Sequence, residues 1–147
     1  KCRVPMKQED VDDGIEYKIN SCYRDNGEEI GGRTQRYTPG ITFKCGDLSK
    51  IQTINFKIKN TSSERIEVYF RLTNDLSNND VESVTLAPNQ EMPISINLNS
   101  LSSNFLSNVT GFMIQIDNVK LDENQKMVLY PERSFKTTNL VYIERGE

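Results

Sequence analysis

In the run Ile66-Glu67-Val68-Tyr69-Phe70-Arg71-Leu72, apolar and polar residues alternate, so that Glu67, Tyr69 and Arg71 fall on one face of a strand and the apolar residues on the other. The same pattern in Ile54-Asn55-Phe56-Lys57-Ile58-Lys59 sets Asn55, Lys57 and Lys59 outward. It sets Ser95 and Asn97 outward in 94–98, and Met113, Gln115 and Asp117 outward in 111–118. If these strands share a sheet, their outward residues form one polar surface with Tyr69 near its centre. A polar ligand with a flat apolar face can stack on the Tyr69 ring, with Arg71, Gln115 and Asn55 supplying donors and acceptors. The candidate ligand-binding set is therefore Asn55, Lys57, Tyr69, Arg71 and Gln115. The competing reading is an ordinary solvated sheet face that carries one tyrosine.

A second set lies between Tyr23 and Tyr37, with Arg24, Asp25, Asn26, Glu28, Arg33, Gln35 and Arg36. Binding residues often sit on such loops, although a charged connection kept for solubility has the same composition. Catalysis finds little support. The chain has no histidine, which removes Ser-His-Asp and Cys-His nucleophiles, His-ligated zinc and imidazole acid–base chemistry. No glycine-rich phosphate loop of the required spacing is present. A carboxylate pair for glycoside hydrolysis or a Tyr/Arg/Lys lyase needs no histidine, but neither leaves a signature. The expectation is a protein that binds rather than reacts.

These side chains need a scaffold, and the composition points to strands. Alanine occurs once, at Ala87, while Ile, Val, Thr, Tyr and Phe are frequent, a balance that favours strands over helices. Abundant Asn, with Ser and Gly, supplies turns. The 147 residues are predicted to form a single β-sandwich domain, 1–147, with a core that needs no metal or disulfide as its main support. The formal charge of −3 is spread without a basic block, which argues against nucleic acid. No apolar stretch reaches the ~18–20 residues of a membrane span. The chain starts at Lys1 with no signal-peptide pattern and reads as a mature or excised piece of a longer product.

Cys2, Cys22 and Cys45 match no zinc spacing. Cys22 can pair with Cys45, Cys2 can pair with either, or all three are reduced thiols. The sequons at Asn60 and Asn108 matter only in a glycosylating host.

Along the chain, residues 1–13 read as a polar leading segment and Asp13-Gly14 as a turn into a first strand over 15–19. Strands are predicted at 41–45, 51–59, 65–72, 81–86, 92–98, 111–117, 126–130 and 135–143, about nine or ten in all, with one helical turn inside 99–107. The pair 51–59 and 65–72, joined by Asn60-Thr61-Ser62-Ser63, is predicted to be an antiparallel hairpin. Regular strands of this kind suggest an all-β, two-sheet antiparallel β-sandwich of the jelly-roll type.

From Ile41 onward the order of elements resembles the galactose-binding-like β-sandwich of many carbohydrate-binding modules. The pieces that carry the resemblance are Ile41-Thr42-Phe43 with Asp47-Leu48-Ser49-Lys50, then 54–60, 65–72, 84–90, 94–98, 109–118 and Leu140-Val141-Tyr142-Ile143. It covers roughly two-thirds of the chain and is one of pattern, without an invariant motif. The absence of Trp departs from the family, in which Trp is a frequent sugar platform. The resemblance implies a non-catalytic module that recognises a poly- or oligosaccharide, secreted or at the cell surface, monomeric within a larger multidomain protein such as a glycan-active enzyme or adhesin. It also implies a structural calcium. Asp10, Asp12, Asp13 and Glu16, with Asp47, Asp117 or Glu144, could supply oxygen ligands, and Asp12 and Asp117 are the metal candidates. The alternative is a structural or protein-interaction sandwich of a cell-surface or assembly protein, making contact through edge strands or an apolar patch around Phe105-Leu106.

Overall fold

A computed structural model describes residues 6–19, 22–25, 36–37, 40–75, 77–116, 119–120, 127–130 and 132–146. The elements in chain order are β1 (Met6–Val11), β2 (Gly14–Ile19), β3 (Cys22–Asp25), β4 (Arg36–Tyr37), β5 (Gly40–Lys44), β6 (Ile51–Asn60) and β7 (Ile66–Thr73). There follow β8 (Asn78–Leu86), β9 (Glu91–Asn97), the short helix α1 (Ser103–Leu106), β10 (Gly111–Ile116), β11 (Val119–Lys120), β12 (Met127–Tyr130), β13 (Arg133–Thr138) and β14 (Val141–Glu144). The strands form two main antiparallel sheets. One has six strands in the order β1-β2-β13-β6-β14, with β9 on the other side of β6, and the other has four in the order β5-β10-β7-β8. Two short ladders, β3 with β12 and β4 with β11, are also antiparallel.

Alternation sets the core. Ile54, Phe56 and Ile58 of β6 face Ile66, Val68, Phe70 and Leu72 of β7 and Phe112, Ile114 and Ile116 of β10, all buried in one cluster. Phe56 packs against Phe70 and Phe112 at ring centroid distances of 5.6 and 6.0 Å, and Tyr17 stacks on Phe135 at 5.2 Å. The Phe56 contacts tie sheet to sheet through aromatic area, while the Tyr17–Phe135 stack lies within the six-stranded sheet. The all-β, two-sheet sandwich inferred from the sequence is the architecture found.

Three expectations are corrected, and one open choice is narrowed. Strands β6 and β7 do not form a hairpin: β6 pairs with β9, β13 and β14, and β7 with β8 and β10. The segment between them crosses from one sheet to the other. Asn60 makes the crossing: its fully buried side chain donates to the carbonyls of Glu64 (2.7 Å) and Leu86 (3.1 Å), and its Oδ1 accepts from the Ser62 amide and hydroxyl. The polar leading segment contains β1, which pairs along β2 from Met6↔Ile19 to Val11↔Gly14. Its turn lies at Asp12-Asp13, one residue before the expected position. The single strand expected over 135–143 is two strands, because β13 pairs with the last part of β6 and β14 with the first. At the junction, the Lys57 amide donates to the Thr138 hydroxyl at 2.8 Å. Finally, Cys45 carries a free thiol that donates to the Phe43 carbonyl, so neither Cys22 nor Cys2 is bonded to it. Any pairing between Cys2 and Cys22 lies outside the described side chains.

Candidate functional site

The crossing between β6 and β7 divides the predicted site between two opposite faces. Asn55 and Lys57 lie on the outer face of the six-stranded sheet, and Tyr69, Arg71 and Gln115 on the outer face of the four-stranded sheet. Packed sheets are separated by about 10 Å of core, so no single ligand on one sheet face touches both groups. The expected continuous surface is corrected to two surfaces.

On the four-stranded sheet the register brings Gln115 opposite Tyr69 and Met113 opposite Arg71. On the other flank Ser83 lies opposite Tyr69, Thr85 opposite Glu67 and Asp80 opposite Arg71. Directly opposed side chains sit about 5 Å apart at Cβ, within reach of one ligand. The Tyr69 hydroxyl donates to Glu67 Oε2 at 2.6 Å, two residues back on the same face. Arg71 Nε donates to Asp80 Oδ1 at 2.7 Å, an ion pair in which the Arg71 side chain is about one-third exposed. A half-buried ring with its hydroxyl anchored is a fixed platform. Gln115, with both a donor and an acceptor, stands beside it. Ser83 was missed from the sequence because alternation does not say which strand lies beside β7, and Asp80 also because a bulge between Phe70 and Arg71 shifts the β7–β8 register.

On the six-stranded sheet Asn55 has Val141 of β14 on one side and Ser95 of β9 on the other. The Ser95 hydroxyl donates to Asn55 Oδ1 at 2.8 Å. One step along, Lys57 lies opposite Pro93. These residues line a groove of about 540 Å³, which Asp13 and Glu91 also border. Ser95 was legible as an outward residue. Pro93, Glu91 and Val141 were not, because alternation gives the facing of a strand and says nothing of its neighbour.

Of the loop candidates, Arg24 and Asp25 fall in β3 and Arg36 and Tyr37 in β4, with side chains outside the description; Asn26, Glu28, Arg33 and Gln35 lie wholly outside it. Of the metal candidates, Asp12 is exposed in the β1–β2 turn and Asp117 lies outside the described residues. Among the described residues no three of His, Cys, Asp and Glu cluster in a way that could hold an ion, so Asp12 gains no ligand set there. The proposed apolar patch also changes: Leu106 is fully buried and Phe105 packs against the core. The exposed large apolar residues among those described are Val141, Tyr142 and Ile143 of β14. No helix among the described residues is long and apolar enough to cross a membrane.

No family model matches the chain, and no curated protein matches it. Solved structures do. A family 11 carbohydrate-binding module from Clostridium thermocellum, in complex with a β-1,3-1,4-mixed-linked tetrasaccharide, superposes with a TM-score of 0.54 at 18% identity, covering 97% of this chain and 83% of that one. The family 11 module of the cellulosomal cellulase Lic26A-Cel5E of the same organism gives 0.53 at 18% identity, covering 99% and 84%. A non-crystalline cellulose specific module, CBM28, gives 0.53 at 10% identity, covering 94% and 79%. The chain thus has the β-sandwich fold of these carbohydrate-binding modules.

Proposed function

We propose that this chain is a non-catalytic carbohydrate-binding module, a single sandwich unit that takes a poly- or oligosaccharide on the outer face of its four-stranded sheet. The observation that carries this reading is the fixed row at the centre of that face: Tyr69 anchored by Glu67, Gln115 directly across, and Arg71 held by Asp80. A pyranose laid on the Tyr69 ring presents its C–H face to an apolar surface and its equatorial hydroxyls to Gln115 and Arg71. The groups are held before the ligand arrives, so little side-chain ordering opposes binding. The likeness to a module in complex with a β-1,3-1,4-mixed-linked tetrasaccharide and to one specific for non-crystalline cellulose supports the same class. In this reading the module serves a larger secreted or cell-surface protein, a glycan-active enzyme or an adhesin, and binds as a monomer.

The test is a glycan array with an insoluble-polysaccharide pull-down, each with calcium and with a chelator. Binding to one polysaccharide class is expected, weakened about tenfold (~1.4 kcal/mol) by Tyr69→Ala and by Arg71→Ala in variants that melt like the parent. Equal affinity in both variants would sink the site. The calcium arm tests the structural ion: a lower melting temperature in chelator supports it, and an unchanged melt with unchanged binding removes it.

A protein-interaction role is the second reading, favoured by the apolar side chains of β14, where Val141 and Ile143 are 52% and 40% exposed. A chain that binds no glycan but self-associates, with dimerisation abolished by Val141→Lys, would replace the first reading with this one.

A further inference from the structure

The groove on the six-stranded sheet faces away from Tyr69 and has the makings of a site in its own right. At its centre the Ser95 hydroxyl donates to Asn55 Oδ1, which fixes the amide of a groove-lining residue and leaves the two donors of its amino group for a ligand. Lys57 borders the groove and makes no ion pair among the described residues, and neither does Glu91. Asp13, on the rim, is engaged by Lys136 at 3.5 Å. The groove therefore offers an amide, an ammonium and a carboxylate to a ligand.

Its apolar parts lie between these groups. Val141 stands opposite Asn55 and Pro93 opposite Lys57, with Ile143 opposite Thr53 one step beyond. From Lys57 to Thr53 is four residues of β6, about 13 Å, so an apolar edge on β14 runs beside a polar row on β6. A volume of about 540 Å³ is that of a small-ligand site. Alternating donors, acceptors and apolar strips match a chain of neutral, hydroxyl-bearing rings. A phosphate or sulfate polymer fits poorly, because the Glu91 carboxylate balances the Lys57 ammonium and the Asp13–Lys136 pair adds no net positive charge.

We propose that this groove is a second saccharide site, on the face opposite Tyr69, so that one module holds two glycan segments at once. The inference rests on the carbohydrate reading above and adds a valence to it. Two sites back to back raise retention on a polymer through effective concentration, without any new contact.

The experiment is isothermal titration of the whole chain with the β-1,3-1,4-mixed-linked tetrasaccharide. The parent chain is expected to bind two molecules, and both the Asn55→Ala/Lys57→Ala double variant and Tyr69→Ala to bind one, the lost step weakened at least tenfold. Ser95→Leu, which fills an exposed position, provides a second groove variant should the double variant fold poorly, and melting curves report which do. One molecule per chain, lost in Tyr69→Ala and unchanged in both groove variants, overturns the second site and leaves the first. One molecule lost only in the groove variants overturns the Tyr69 site, and with it the proposed valence of two. No binding by the parent chain overturns both.

Discussion

The thiol of Cys45 and the phenol of Tyr142 share a hydrogen bond at the margin between the two sheets, where neither is fully buried. Burial pushes the Cys45 thiol above its ordinary range, and the Tyr142 hydroxyl partly offsets this by stabilising the thiolate. Burial, then the charge of the Cys45 thiolate, pushes Tyr142 up to about 12. A tyrosine held protonated by the fold contributes stability that is complete below its unfolded value of about 10 and is lost as pH rises toward 12. Alkaline titration of phenolate absorbance is expected to show late-ionising tyrosines, since burial also holds Tyr17 up, and one of them to disappear in Tyr142→Phe. The same variant is expected to lose part of the stability decline between pH 10 and 12. A Tyr142 that ionises at the ordinary tyrosine value of about 10 would contradict the geometry. The three cysteines left several pairings open in the sequence, since pairing depends on which strand ends meet. The outward facing of Tyr69, Arg71 and Gln115, by contrast, was legible directly, because alternation is a local property of a strand.

Local alternation has a limit, and β6 and β7 define it. Each buries every second residue as expected, yet the two belong to different sheets, and a turn of Asn, Thr and Ser serves a hairpin or a crossover equally well. What decides is the buried Asn60 amide, which satisfies the carbonyls of Glu64, inside the crossing, and of Leu86, at the end of β8. Asn60→Ala removes those bonds and strands the acceptors away from water, so a loss of about 3 kcal/mol is expected. It would be read as a lower urea midpoint at an unchanged slope. A second element-level prediction concerns Gly14, which starts β2 opposite Thr138. A Cβ added there would fall 1.9 Å from the Thr137 carbonyl oxygen, whereas one at Gly46 meets nothing within 4 Å. Gly14→Ala is expected to lower the melting temperature by several degrees, through a displaced β2–β13 ladder worth about 1–3 kcal/mol. Gly46→Ala is the neutral control. Strand β1 was missed because four of its six residues are polar and the apolar ones, Met6 and Val11, stand only at its ends. That composition suits an outer strand, where charged side chains guard against edge pairing.

For the whole molecule, the sandwich class was legible in composition and strand spacing, and the division of the site was not, because sheet membership is set by contacts far apart in sequence. The same division separates the two sequons. Asn60 is fully buried in the crossing and Asn108 is exposed after α1. In a glycosylating secretory host, folded product is expected to carry a glycan at Asn108 and none at Asn60, as intact-mass and peptide mapping would report. A folded product glycosylated at Asn60 would contradict the buried amide. Charge is also arranged across the sheet. Glu9, Glu16, Lys136, Lys59 and Glu91 occupy one transverse row of the six-stranded sheet by register, in which the like-charged neighbours Glu9/Glu16 and Lys136/Lys59 offset the opposite pairs Glu16/Lys136 and Lys59/Glu91, so the row adds little net stability.

The junction between β13 and β14 has its own consequence for hydrogen exchange. Lys57 lies in the middle of the longest strand, yet its amide is held by the Thr138 hydroxyl rather than by a main-chain carbonyl. A side-chain acceptor can rotate away without any strand separating, so this amide is expected to trade its hydrogen for deuterium faster than its neighbours Phe56 and Ile58. Thr138→Val, which keeps the shape and removes the acceptor, should speed it further. Because Lys57 and Thr138 both line the groove, a ligand seated there would slow that one amide, and the centre of a core strand becomes a built-in reporter of occupancy.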